Sequence, residues 1–286
     1  MNSLRKVGIV GCGVMGTGIA EACARAGLDV RLVCSGPMSL EASRIRLRDG
    51  LDRQVGRGKL DSTARDEMLA RITVTADLGA MADRDLVVEA VTERESAKLE
   101  VFAALDKVMA ARDAVIASNT SSIPITRLAR VVERPERVVG VHFFNPVRAM
   151  PLVEVVESML TGDDTVRRVE EFLTATLGKQ VVRVGDRAGF VVNALLVPYL
   201  LDAVRMLEAG YASGEEIDRA MTLGCGHPMG PLALADLIGL DTLAAIADAL
   251  YAEFRQPSYA VPPLLRRMVE AGRLGRKNGS GLRVPA

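Results

Sequence analysis

The chain has 286 residues, enough for one large or two ordinary domains, and 49% of them are hydrophobic, so a sizeable core is available. Lys plus Arg and Asp plus Glu number 36 each, without the basic excess of a nucleic-acid or acidic-membrane binder, and aromatics at 3% with no tryptophan argue against stacked-base recognition. The four cysteines, at 12, 23, 34 and 225, have neither metal-ligand nor disulfide spacing, and no apolar run is long enough to span a membrane, so a soluble protein in a reduced, cytoplasmic setting is expected, with no metal.

In chain order, Lys6 to Gly11 reads as a buried strand running into Gly11-Cys12-Gly13-Val14-Met15-Gly16 and then a helix that ends near Gly27. This is GxGxxG between a strand and a helix. Gly11 permits the tight turn, Gly13 lets a pyrophosphate approach the backbone, and Gly16 lets helix and strand pack closely. The helix N-terminus then offers N–H groups and a favourable dipole to the phosphates, so dinucleotide binding is expected here. Strand two, Val30 to Val33, leads to Cys34 where a ribose-binding Asp or Glu belongs. Losing that carboxylate removes a repulsion against a 2′-phosphate, but no arginine follows immediately. NAD is therefore the expected cofactor, with NADP permitted. Asp29 reads as a turn residue before the strand.

Residues 39–71 read as a charged helical hairpin whose Arg53, Arg57 and Lys59 are candidates for the phosphates of a large substrate, although a solvated face explains most of its charges. Strands follow at Ile72 to Thr75, Asp85 to Val91 and Ala114 to Ser118, with a helix over Glu95 to Ala110. Strands alternating with helices predict a parallel sheet covered on both faces, with ligands beyond the carboxyl ends of the strands. Glu93 to Lys98, Ser118 to Ser122 and His142 to Asn145 all lie in that zone. Val138 to Glu154 carries the clearest chemistry: one apolar run delivers His142, the next carries Glu154, and a sheet brings such residues together. A carboxylate beside an imidazole favours the imidazolium and fixes its tautomer, as a general acid/base requires. After a strand at Gln180 to Val184 only helical periodicity remains. The expected class is α/β: an N-terminal Rossmann-type doubly wound sheet over 1–187 with the 39–71 hairpin, and an all-helical C-terminal domain over 188–286 that closes on substrate and forms a homodimer.

The segments VGIVGCGVMGTGIA, LVVEAVTERESAK, ASNTSSIPI, GVHFFNP, LVEVVE, LGKQVVRVGDRAGFVVN, HPMGPLALADLIGLD and GRKNGSG together resemble the 3-hydroxyacyl-CoA dehydrogenases, especially the short bacterial 3-hydroxybutyryl-CoA dehydrogenases. The resemblance implies interconversion of 3-hydroxyacyl and 3-oxoacyl thioesters by hydride transfer. It makes His142 the general acid/base, has Glu154 orient it, and has Ser121 and Asn193 hold substrate oxygens. It puts Glu93, Lys98, Ser121, Asn145 and Lys277 near the cofactor. Other readings stand beside these: a solvent-facing Glu93–Lys98 pair, a turn hydroxyl at Ser121, a helix cap at Asn193, and a pocket rim for His227. Two departures from the family pattern are Cys34 and the ending Leu282-Arg283-Val284-Pro285-Ala286. They leave open an enzyme that oxidises a glyceryl-type group on an acyl carrier protein, and beyond that a dinucleotide-binding structural protein without turnover.

Overall fold

Short valine-rich runs that end at glycines or polar turns build the sheet, and the helices between them are amphipathic on the side that covers it. The computed structural model describes residues 4–283. β1 (Lys6–Val10), α1 (Val14–Arg25) and β2 (Asp29–Val33) come first, followed by α2 (Pro37–Gly56), α3 (Ser62–Ala70) and β3 (Ile72–Thr75). β4 (Leu86–Glu89), α4 (Glu95–Val108), β5 (Val115–Ser118), α5 (Ile125–Ala129) and β6 (Val138–Phe143) continue the alternation. β7 (Leu152–Glu157), α6 (Asp163–Glu171), one π-helical turn and β8 (Gln180–Gly185) complete the sheet. Its order is β3-β2-β1-β4-β5-β6-β7-β8. The chain reverses its direction of growth between β1 and β4, the position where open α/β sheets hold their ligands.

All neighbouring strands are parallel except β6 and β7. That antiparallel pair interrupts the parallel pattern of strand–helix alternation, and its cause is short-range. Only residues 144–151 separate the two strands, too few for the crossover that a parallel pair requires. Asp29 is also not a turn residue. It opens β2 opposite Lys6, and its carboxylate meets the buried Arg84 guanidinium at 2.8 Å. α6 has no counterpart in the sequence reading, although Val166, Val169 and Phe172 give it a buried stripe.

The chain divides into one unit through Asp186 and another from Arg187. In the first, α1 lays Ile19, Ala20, Cys23 and Ala24 against the sheet, all inaccessible to solvent. The second contains α7 (Val192–Glu208), α8 (Gly214–Cys225), α9 (Pro231–Ile238), α10 (Leu240–Phe254) and α11 (Pro263–Glu270). Leu200, Leu201, Val204, Leu243 and Leu250 form its separate core. Ser213 caps α8 through Glu216, whose carboxylate accepts the Ser213 N–H at 2.9 Å. The buried Asp236 carboxylate accepts the backbone N–H groups of Leu282 and Arg283 at 2.8 and 2.7 Å. The unusual ending is therefore anchored up to Arg283, and Val284, Pro285 and Ala286 lie outside the described residues. No described helix is long and apolar enough to cross a membrane.

Candidate active site

His142 and Glu154 stand directly opposite each other in the β6–β7 ladder. Opposed residues of an antiparallel pair point to the same face, which obliges imidazole and carboxylate to meet. Nδ1 lies 2.7 Å from Oε2, and the residues are 6% and 1% exposed. An ionised carboxylate only accepts hydrogen bonds, so opposite an ionised Glu154 the protonated Nδ1 donates a hydrogen bond to Oε2. The Phe144 ring lies 4.5 Å from the imidazole, tilted by 58°. Two residues that sequence reasoning passed over hold this region. Asn119 Oδ1 accepts the Phe143 N–H at 2.9 Å, and Lys179 Nζ donates to the carbonyls of Val147 and Met150 within the loop that carries Asn145.

A second cluster forms where β4 and β5 end. Glu89 closes β4 with no exposure, and a carboxylate buried in a parallel strand needs compensating partners. It accepts from Lys98 Nζ at 2.7 Å, from Ser118 Oγ at 2.6 Å and from the Val91 N–H at 2.7 Å. Lys98, 1% exposed, also reaches Glu93 at 3.2 Å. Glu93 in turn accepts the hydroxyl of Thr120 at 2.6 Å, the Ser121 N–H at 2.8 Å and the Ser121 hydroxyl at 3.2 Å. Burial opposes ionisation of Glu93, but the Lys98 charge and these hydrogen bonds outweigh it and hold the carboxyl below its ordinary range. Lys98 is therefore not part of an ordinary solvent-facing pair, although the Glu93 side chain keeps 37% exposure. The two residues fix the Thr120–Ser122 turn on which Ser121 is displayed. Glu89 was missed, though an acidic residue ending a wholly apolar strand was the available signal.

The glycine loop fits a dinucleotide. Gly11 has φ +113°, and a Cβ there would lie 2.4 Å from the Ala90 carbonyl oxygen; at Gly16 it would lie 1.8 Å from that of Gly11. At Gly13 it would meet nothing within 4 Å. The loop is packed where it turns and open where a pyrophosphate has to approach. Gly13 caps α1 without any side-chain bond to the first-turn N–H groups, which suits an anion. Cys12, Val14 and Met15 lie on the same loop, and Arg46 donates to the Cys12 carbonyl at 2.6 Å. Cys34 follows the last residue of β2. It is 3% exposed beneath α2, and its thiol donates to Ser43 Oγ at 3.4 Å.

A family model described as the 3-hydroxyacyl-CoA dehydrogenase NAD binding domain matches residues 6–187, and one for the C-terminal domain of the same enzymes matches residues 189–283. The chain belongs to the 3-hydroxyacyl-CoA dehydrogenase family. Among its relatives, the 3-hydroxybutyryl-CoA dehydrogenase of Mycobacterium tuberculosis is 53% identical over 98% of each chain. The human mitochondrial hydroxyacyl-coenzyme A dehydrogenase is 40% identical over 97% of this chain and 90% of its own. The crystal structure of the (S)-3-hydroxybutyryl-CoA dehydrogenase of Ralstonia eutropha superposes with a TM-score of 0.92 at 45% identity, covering 99% of this chain and 100% of that one. This family membership makes the chain an oxidoreductase with an NAD-binding domain.

The remaining candidates lie on other elements. Arg53, Arg57 and Lys59 line a cleft of ≈ 430 Å³ together with Arg46, Arg148 and Asn145. Five cations thus face one cleft in the first unit, of which sequence reasoning named three as candidates. In the second unit, Asn193 lies in the first turn of α7, and Lys277 pairs with Asp241. His227 is bonded there through Nδ1 to the Tyr199 hydroxyl at 3.1 Å.

Proposed function

We propose that the protein interconverts 3-hydroxybutyryl-CoA and acetoacetyl-CoA, with NAD as the redox partner and His142 as the general acid/base. The observation that carries this reading is the buried 2.7 Å contact between His142 Nδ1 and Glu154, reached through strand register in a chain of this family. Bound NAD supplies the hydride acceptor for C3 of the hydroxyacyl group, or the donor in the reverse direction. His142 takes the proton of the 3-hydroxyl at Nε2 in oxidation and returns it in reduction. Glu154 stabilises the imidazolium that forms between those events and keeps the ring oriented. Ser121 holds a substrate oxygen, Gly11 to Gly16 bind the pyrophosphate, and Asn145 lies near the cofactor. Asn193 and Lys277 keep the substrate and cofactor roles that the family resemblance implies.

The test is loss of NADH absorbance with acetoacetyl-CoA, repeated with NADPH and with an acyl-carrier-protein thioester. Turnover on the CoA thioester is expected, with NADH preferred and NADPH accepted. No carboxylate ends β2, and the Arg44 charge is felt at Cys34. Rapid turnover on the carrier-bound substrate alone would transfer the function to carrier proteins, and NADH binding without turnover on any substrate would leave a binding protein.

The five-cation cleft suits the phosphates of CoA. Replacing Arg53, Arg57 and Lys59 together by alanine is expected to raise KM for acetoacetyl-CoA at least ~10-fold with kcat little changed, since charged hydrogen bonds contribute about 1.5–3 kcal/mol and act on bound and transition states alike. A short thioester without the nucleotide moiety is expected to show no change. An equal loss on both substrates would remove these residues from CoA binding.

A homodimer accounts for the apolar side chains that the second unit leaves at its surface. Leu195, Tyr211, Leu223 and Leu237 are all at least half exposed. Light scattering at micromolar concentration is expected to give twice the chain mass, and a stable monomer would refute the assignment. A cytoplasmic location agrees with four unpaired cysteines and is checked by cell fractionation.

A further inference from the structure

Two thiols lie at the glycine loop and at the adjoining end of β2, and neither sulfur takes part in the proton and hydride transfers proposed above. In the β1–β2 ladder Val10 is level with Val33, and the Gly11 N–H donates to the Val33 carbonyl at 3.0 Å. The two chains therefore leave the sheet side by side, carrying Cys12 on one and Cys34 on the other. Both thiols turn toward the start of α2. Cys12 Sγ reaches the Ser39 carbonyl at 3.9 Å, and Cys34 Sγ reaches Ser43 Oγ at 3.4 Å. The Ser43 hydroxyl donates in turn to the Ser39 carbonyl at 2.5 Å, so the two thiols bond to adjoining members of one short chain of polar groups.

We propose that Cys12 and Cys34 form a dithiol redox site, which a hydroperoxide oxidises to a disulfide that closes the glycine loop to dinucleotide. The site itself follows from the placement of the two thiols, and its effect on binding rests on the NAD reading. Cys12 is the partly exposed member and Cys34 the buried one. Burial disfavours the Cys12 thiolate, yet hydrogen bonds with Ser43, Cys34 and Ser39 outweigh it and bring the thiol below its ordinary value. Cys34 is pushed up to about 11, chiefly by burial. The environments divide the labour: Cys12 attacks and Cys34 resolves.

The Cys12 thiolate displaces one peroxide oxygen as the O–O bond breaks, leaving a sulfenic acid and an alkoxide or hydroxide that takes up a proton. The Cys34 sulfur then attacks the Cys12 sulfur. The S–S bond forms, the S–O bond breaks, and the departing oxygen leaves as water with the Cys34 proton. Two thiols lose two electrons and the peroxide gains them. Once linked, Cys12 is drawn to the end of β2, and the loop can no longer open at Gly13 toward a pyrophosphate.

The test uses the full chain carrying Cys225→Ser, which removes the exposed thiol; Cys23 is inaccessible and pushed up to about 12. After treatment with hydrogen peroxide, peptide mapping is expected to find Cys12 joined to Cys34, with the mass of two hydrogens lost. The NADH dissociation constant is expected to rise at least ~10-fold, the equivalent of one charge-assisted hydrogen bond, and to recover with dithiothreitol. Saturating NADH added beforehand is expected to slow the oxidation. In a further Cys34→Ser variant, oxidation is expected to stop at a Cys12 sulfenic acid that dimedone traps. Peroxide treatment that yields no linked peptide overturns the proposal, and so does a link that leaves NADH affinity unmoved. A reduced protein that fails to bind NADH yet forms the link supports the dithiol site and refutes the NAD reading instead.

Discussion

His142→Gln is expected to bind NADH nearly as tightly as the native protein and to lose ~10²–10⁴-fold in kcat, the usual contribution of general acid/base assistance. The substitution isolates the chemistry because a glutamine amide N–H still donates to Glu154 and fills much of the ring's volume in the buried β6 strand. What disappears is the ring nitrogen that takes the 3-hydroxyl proton and returns it. Glu154→Gln is expected to impair turnover as well, because an amide neither stabilises an imidazolium nor imposes one tautomer. The double variant is expected to lose less than the product of the single losses, since each change disables the same unit. Steady-state kinetics with NADH fluorescence titration reads all of these. A kcat for His142→Gln near the native value would take His142 out of the mechanism.

The pairing of these two residues was legible in the sequence because it depends on local grammar. Two valine-rich runs with a short loop between them make an antiparallel ladder, and the ladder does the rest. The glycine loop was legible for a similar reason, Gly11 and Gly16 having steric duties that no other residue performs. Glu89 was not legible in the same way. In LVVE it reads as the polar end of a strand, and its burial acquires meaning only when α4 lays Lys98 upon it. Cys34 was read only as standing where a ribose-binding carboxylate belongs, since the strand pattern contains no sign that α2 closes over it. The cleft lay in between. Arg53, Arg57 and Lys59 share the charged hairpin, but Arg148 joins them from a distant loop that only the fold brings near.

Lys98→Met is expected to destabilise the first unit by about 3–5 kcal/mol, as removal of one partner from a buried ion pair does. That is a large fraction of the roughly 5–15 kcal/mol that holds a domain folded. The magnitude follows from what remains. Glu89, with no exposure, would keep Ser118 and the Val91 N–H but lose the Lys98 ammonium at 2.7 Å. Removing the second charge as well tests the cause. Glu89→Gln with Lys98→Met is expected to be more stable than Lys98→Met alone, because a neutral amide needs no counter-ion. Acid supplies an independent reading through Glu93, whose carboxyl Lys98 holds below its ordinary value of 4.5 against the effect of burial. A depressed carboxylate contributes its stability in full above that value and loses it as the pH falls through the folded-state value. The gap between the native protein and Lys98→Met is therefore expected to narrow as the pH is lowered from 4.5. Urea unfolding at neutral and acidic pH measures both effects. If Lys98→Met costs less than about 1 kcal/mol, within the range of an exposed pair, the Glu89–Lys98–Glu93 cluster does not hold the Ser121 turn in place.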